Sequence, residues 1–326
     1  MARHTKTRGL LLALFIITVS GMNSQAGMVS LVFDDGLASV YRYAYPILKN
    51  NNQVATIGIT YAFLMSGQKE FMDIEQILSL QQEGWEVASH GLTHSRSTEM
   101  PMFYGEEKIK NWAAWDKKLK IYHVNYKYKS VAGLFDNNRI MNEVSPFNQE
   151  EWLPGSYYLD RQNGQLFVKP FSPGNWWNKL NIRTTSCQRE MEFSKRELET
   201  LGCKIETFIT PYNDFSERLR DLSKNYYAHV ASGKDKPNFR ASFDPYHIWR
   251  FSVQTRDSVK SLEKIIERWA VKNDGWVVFC MHGIGDSFGW EPWDEGKLQE
   301  LSNWLNRKGV TVVTIAQGAS LYKKTP

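Results

Sequence analysis

Short apolar runs recur along this chain, and each stops at a polar residue. MVSLVF (28–33) runs into Asp34 and Asp35, WEVAS (85–89) into His90, and KIETFIT (204–210) into Pro211 and Tyr212. GWVVFCMH (275–282) ends in His282 itself. Runs this short and continuous suit strands buried on both faces, as in parallel sheets. Amphipathic stretches of helical period lie between them, at 38–51, 73–83, 184–201, 215–224, 257–272 and 294–307. Further strands are expected at QVATIGITY (53–61), AHVAS (228–232), IWRFSV (248–253) and VTVVTI (310–315). Such alternation reads as parallel βαβ units. In parallel α/β folds, function gathers at the carboxyl ends of the strands. Four polar clusters at four strand ends are therefore expected to converge on one rim.

The rhythm breaks between about 113 and 183, where Trp, Tyr, Asn and Pro are frequent. SYYLDRQNGQLFVKPF (156–171) reads as a β-hairpin with two aromatic-rich arms around a Gln-Asn-Gly turn. This segment is read as a β-rich insertion in a single α/β domain spanning 27–326. It serves either as a lid or ledge for substrate or as a structural subdomain.

Residues 1–26 have the form of a secretory signal. Arg3, Lys6 and Arg8 precede an apolar run from Leu10 to Val19, and Ser24-Gln25-Ala26 supplies a small-residue exit. The run is short for a membrane span of roughly 20 residues. The expectation is an exported protein, periplasmic or extracellular, without a stable membrane span after cleavage. An uncleaved N-terminal anchor is the rival reading. The whole chain has 40 Lys and Arg against 35 Asp and Glu; setting aside the three basic residues of the signal leaves an excess of only two. No nucleic-acid partner is expected from so small an excess. Twelve Trp suit sugar stacking as well as an aromatic core. Of three cysteines, Cys187 and Cys203 have the option of pairing, and Cys280, in an apolar run, reads as a buried thiol.

SHGLTHS (89–95) places His90 and His94 at i, i+4. On a helical turn both imidazoles share one face, a geometry suited to one metal ion. Two His and one Asp with open positions form a common catalytic metal site.

LVFDDG (31–36), SHGLTH, TPYND (210–214) and the strand-final His282 together resemble the ordered motifs of the NodB-type polysaccharide deacetylases, carbohydrate esterase family four. The resemblance covers roughly 28–112 and 184–320. It implies an irregular (β/α) barrel with fewer than eight strands, and a metal-dependent removal of acetyl groups from an N-acetylated polysaccharide. Carried over residue by residue, it makes Asp35, His90 and His94 the metal ligands, Asp34 the general base and His282 the general acid. It makes the Tyr212 backbone N–H an oxyanion donor, and Cys280 and Ile284 candidates for the acetyl-methyl pocket. The ligand set suits Zn²⁺, with Co²⁺, Ni²⁺ or Mn²⁺ fitting the same donors. Gly36 is expected to let both carboxylates face one cavity.

The sequence also departs from the family. An arginine usually precedes the Pro-Tyr motif and holds the base carboxylate; here that place is Thr210. Arg250, in another expected strand, is a possible base-orienting substitute from a different direction. The carboxylate that usually supports the general-acid histidine has no placed counterpart, with Asp286 only near in sequence. Trp290 and Trp293, and Trp176-Trp177 in the insertion, are candidate sugar platforms. His123, His229 and His247 read as structural. Three rivals stay open: an O-acetyl esterase, a hydrolase of non-sugar C–N bonds, and a catalytically weak carbohydrate-binding protein.

Overall fold

The computed structural model describes residues 27–128, 131, 133–171, 180–285 and 288–323. The signal-like segment, Trp176-Trp177 and Asp286 lie outside the described residues. Seven strands form the barrel: β1 (Met28–Phe33), β2 (Thr56–Ile59), β3 (Glu86–Ser89), β4 (Thr207–Ile209), β5 (His229–Gly233), β6 (Ile248–Ser252) and β7 (Trp276–Met281). They pair in chain order, all parallel, and β7 closes onto β1 in a six-residue register from Met28↔Trp276 to Phe33↔Met281. The fold is the irregular (β/α) barrel implied by the motifs.

Alternation along the strands decides what points where. On β1, Val29, Leu31 and Phe33 pack outward in the large core under the helices, while Met28 and Val32 join a second core with Ala88, Ile209, Ala231, Ile248, Trp276 and Val278. That second core is the barrel interior. Continuing the same parity upward leads from Val32 to Asp34, from Ala88 to His90, from Ile248 to Arg250, and from Val278 through Cys280 to His282. The polar residues are thus the top layer of a barrel whose middle layer is apolar.

The helices start where the chain can cap them. Asp73 opens Ile74–Gln82 with a reciprocal capping box to Gln76, and Ser186, Ser216, Ser258 and Asp294 cap the helices that follow them. VTVVTI yields only a two-residue strand, Thr311–Val312 against β1, and then turns into a helix, Ile315–Lys323. The sequence reading missed this helix: the backbone N–H of Ile315 and Ala316 is taken by Thr56 and by the half-buried Glu86, so the chain leaves the sheet there. Cys187 and Cys203 are both free and buried, which removes the disulfide option, and Cys280 is a buried thiol.

Between 113 and 183 the chain builds mostly antiparallel sheet, with Asn142–Glu143 alone pairing parallel among the described strands there. Ser156–Asp160 and Gln165–Lys169 form the hairpin, flanked by Ile121–Asn125 and Ala113–Asp116 on one side and Asn142–Glu143 on the other. A smaller sheet joins Phe135–Asp136, Arg139–Ile140 and Ile182–Arg183. This region has its own core, including Trp112, Val124, Leu159, Leu166 and Val168. It leaves the barrel after the β3 loop and returns just before the helix Cys187–Thr200.

Candidate active site

The top of the barrel opens into a cavity of about 520 Å³ lined by Asp34, Asp35, His90, His94, Arg96, Tyr212, Asn213, Cys280, His282 and Trp290. That size falls in the ~300–1,000 Å³ range of small-molecule sites. The two adjacent carboxylates do face one cavity, but Gly36 is not alone in allowing it. Asp35 itself takes φ 73°, as does Gly36, so the chain twists at the first residue beyond the parity of β1. For a non-glycine residue this left-handed backbone costs roughly 1–2 kcal/mol, least for Asp and Asn. His94 (φ 58°), Tyr212 (φ 57°) and Asn213 (φ 54°) share that conformation. Strain gathered at one cleft is a mark of a functional surface.

One side of the cleft is a ligand cluster. Ligating atoms of Asp35, His90 and His94 lie within 4.8 Å of one another. His90 Nε2 is 3.4 Å and His94 Nε2 3.1 Å from Asp35 Oδ1, yet that buried oxygen has no aligned hydrogen-bond donor among the described residues. His90 Nδ1 sits 2.9 Å from the Ile209 carbonyl, a contact satisfied only when Nδ1 carries the proton, which leaves Nε2 a free lone pair toward Asp35. An orphaned carboxylate oxygen facing two imidazole nitrogens fits a divalent cation. Burial alone would raise the Asp35 carboxyl, but His90 and His94 hold it far below the ordinary value. At His90, burial is outweighed by Asp34 and Asp35, which raise its pKa. Negative charge that favours a proton there also favours a cation.

The two histidines do not share a helical turn, contrary to expectation. His90 directly follows β3, and residues 91–96 form an irregular loop through Gly91 (φ 85°) and the left-handed His94. The loop is held by Glu190, which sequence reasoning missed. Its Oε2 accepts from the backbone N–H of Leu92 at 2.9 Å and Thr93 at 2.8 Å, and its Oε1 from the Thr93 hydroxyl at 2.9 Å. Burial pushes the Glu190 carboxyl upward in pKa despite these donors. A signal for it existed: Glu190 lies on the buried stripe Cys187, Glu190, Met191, Ser194, Leu198 of its helix, an acid where the pattern wants an apolar residue.

The other side centres on Asp34, 3 % exposed. Arg250 Nη1 donates to both its oxygens, at 2.8 and 3.0 Å. Thr210, where the family pattern expects arginine, is buried with its hydroxyl unpartnered among the described residues, and the guanidinium comes from β6 instead. Arg250 is 1 % exposed, and its Nε and Nη2 donate to Asn213 Oδ1. Sequence reasoning assigned Asn213 no role. It reaches Arg250 because Gly233 has no side chain: a Cβ there would sit 2.5 Å from Asn213 Cγ. Burial would raise the Asp34 carboxyl, but Arg250, then His90 and His282, bring it below its ordinary value. Asp34 is therefore ionised at neutral pH.

Cys280 donates its thiol to Asp34 Oδ2 at 3.4 Å, and burial pushes that thiol up in pKa. His282 is held low in pKa by burial, only partly offset by Asp34 and Asp35, and its buried Nδ1 has no hydrogen-bond partner among the described residues. No carboxylate among the described residues hydrogen-bonds it. Trp290, 51 % exposed, meets the His282 ring edge-on at 4.9 Å. Tyr212 is 53 % exposed on the opposite wall, against His94.

The other expected platform is corrected. Trp293 is 1 % exposed and its indole N–H donates to the Asp257 carbonyl, so it has no face for a sugar. Ile284 is fully buried and does not line the cavity, whereas Cys280 does. His123, His229 and His247 all lie outside the lining.

A polysaccharide deacetylase family model matches residues 21–138 of the chain. The match spans β1, both aspartates and both histidines, and ends before Tyr212, Arg250 and His282. No curated protein matches the chain by sequence. Among solved structures, the Xyl-CE4 domain of a multidomain xylanase from the hindgut metagenome of Trinervitermes trinervoides is similar at 14% identity, covering 93% of this chain and 94% of that one, with a TM-score of 0.48. A family 4 carbohydrate esterase from Streptomyces lividans in complex with acetate is similar at 13% identity, over 90% of this chain and 97% of that one, TM-score 0.47. A family pseudoenzyme from Bacillus anthracis is similar at 12% identity, over 90% of this chain and 65% of that one, TM-score 0.47. The fold stands on the strand order above, not on these scores.

Proposed function

We propose that this chain, which carries the polysaccharide deacetylase family pattern over residues 21–138, is a metal-dependent hydrolase that removes acetyl groups from N-acetylated sugars of an exported or cell-wall polysaccharide. The observation that carries the reading is one cavity with a cation-ready Asp35–His90–His94 cluster on one wall and an ionised, arginine-held Asp34 on the other. The exported setting rests on the signal-like pattern of residues 1–26.

A divalent cation held by Asp35, His90 and His94 would make bound water acidic and polarise the acyl oxygen. Zinc suits the donors best. The chain's own residues do the rest. Asp34, ionised and fixed by Arg250, accepts the proton of the attacking water. The Tyr212 backbone N–H, at the cavity wall, donates to the developing oxyanion. His282 hands a proton to the leaving sugar nitrogen, which is too basic to leave unprotonated. Burial holds its pKa low, so the imidazolium gives up that proton readily, and the proton Asp34 has taken from the water balances the one delivered. Trp290 at the mouth offers a face to a sugar ring.

The test is acetate release by the protein from N-acetylated glycans, with and without a chelator. Chelator-sensitive release that returns on adding Zn²⁺ supports the reading. Release that ignores the chelator, or release only from O-acetylated glycans, overturns it. A protein that binds metal and glycan but releases nothing belongs to the carbohydrate-binding alternative.

A further inference from the structure

Arg96 is the one Arg or Lys among the described residues that line the cavity, and neither the cation cluster nor the proton-transfer side uses it. Its guanidinium lies 4.0 Å from the centre of the Tyr212 ring. Its side chain is 43 % exposed and forms a loose ion pair with Glu99, Nε to Oε1 at 3.9 Å, too long for a hydrogen bond. Among the described residues it donates no hydrogen bond, so the fork of donors on the guanidinium is available to a ligand.

Its position is fixed. The two residues after it, Ser97 and Thr98, give three hydrogen bonds to Asp214 Oδ2, from the Ser97 hydroxyl at 3.0 Å and the Thr98 N–H and hydroxyl at 2.9 Å each. Asp214 belongs to the loop that carries Tyr212 and Asn213. The clamp therefore locks the histidine loop to the Tyr212 loop and sets Arg96 on the Tyr212 ring at the cavity wall. A guanidinium beside a cation-binding cluster weakens the pull on that cation. It is of use where the incoming molecule carries a compensating anion.

We propose that Arg96 makes the cleft selective for an acidic glycan, one whose sugar next to the N-acetylated residue carries a carboxylate. This rests on the glycan reading of the cleft given above. The carboxylate pairs with the planar guanidinium, the geometry in which Arg outperforms Lys. The carboxylate has two chemical sources, a uronic acid or a lactyl ether on an amino sugar.

Binding is measured by calorimetry with the full protein, so the result does not depend on turnover. The probes are N-acetylglucosamine–glucuronate oligosaccharides and N-acetylmuramic acid-containing glycan strands, each paired with its carboxyl-reduced, neutral counterpart. The wild type is expected to bind at least one acidic probe about tenfold tighter than its reduced partner, and to lose that margin as salt rises. The pair that shows the margin identifies the source. Arg96→Gln is expected to bring the ratio close to one, with Arg96→Lys between. Equal wild-type affinity for both members of both pairs, or no binding to either acidic probe, overturns the proposal. So does a margin that survives Arg96→Gln, which would leave Arg96 as a mere support for the Tyr212 loop. Absence of acetate release alongside a clear margin would overturn the hydrolase reading and leave this one standing.

Discussion

The two walls of the cleft are built by different means. The Asp34 wall continues the strands: Asp34, Arg250 and Cys280 occupy inward positions fixed by the period of β1, β6 and β7, and His282 is one step beyond. The Asp35 wall breaks with the strands: Asp35 and His94 sit at φ 73° and 58°, and the loop between the histidines hangs on Glu190. The first wall holds a buried ion pair whose members need each other. The second holds donors whose mutual repulsion and missing partners a cation relieves. Stability is therefore concentrated on the first wall and metal affinity on the second.

The sharpest way to break this contrast is at Arg250. Arg250→Met leaves Asp34 an uncompensated buried charge, and the loss is expected to be ~3–5 kcal/mol, read from chemical denaturation. If metal affinity falls instead while stability holds, the division of labour is wrong. Trp293→Ala makes a useful control: it should cost a comparable ~3–5 kcal/mol by emptying core volume, whereas Trp290→Ala should weaken glycan binding and leave stability nearly untouched.

Glu190→Gln comes next. It keeps the size of the side chain but removes the charge that gathers the Leu92 and Thr93 N–H groups. Metal affinity is expected to drop about 10–100-fold, the usual result of losing support behind a ligand, as read by competition with a chelating dye. An unchanged affinity would mean that the loop holds its shape without Glu190.

The smallest effect is in pH. The folded pKa of Asp34 lies below its unfolded value, so its contribution to stability is fully present above about pH 3.9 and is lost as pH falls through the depressed folded value. The gap in stability between the wild type and Asp34→Asn should accordingly narrow on acidification below pH 4. A gap that widens there would contradict the ion-pair account.

What the sequence disclosed follows the same division. Runs such as MVSLVF and GWVVFCMH made the parallel strands and their rim legible, the family resemblance supplied the barrel, and the place of Arg250 in the expected strand IWRFSV made it a candidate substitute for the arginine absent at Thr210. The loop geometry was not legible. H-x-x-x-H looks the same on a helix and on a strand-terminal loop, because the spacing does not encode the left-handed turn at His94. Asn213 was hidden because its partner lies 37 residues on and its approach depends on Gly233 having no side chain. Trp293 misled for a related reason: of the two tryptophans in GWEPW, only Trp293 is drawn into the main core, by its backbone bridge to Ile284 and its indole contact with Asp257, and the local pattern encodes neither.

The most direct test of the two-walled cleft is to measure bound metal and acetate release together in Asp34→Asn and Asp35→Asn. The account predicts that Asp34→Asn keeps about one metal per chain while its turnover falls by about 10²–10⁴, and that Asp35→Asn loses both. An Asp34→Asn protein that loses its metal, or an Asp35→Asn protein that keeps it, would show that the two carboxylates do not have separate jobs.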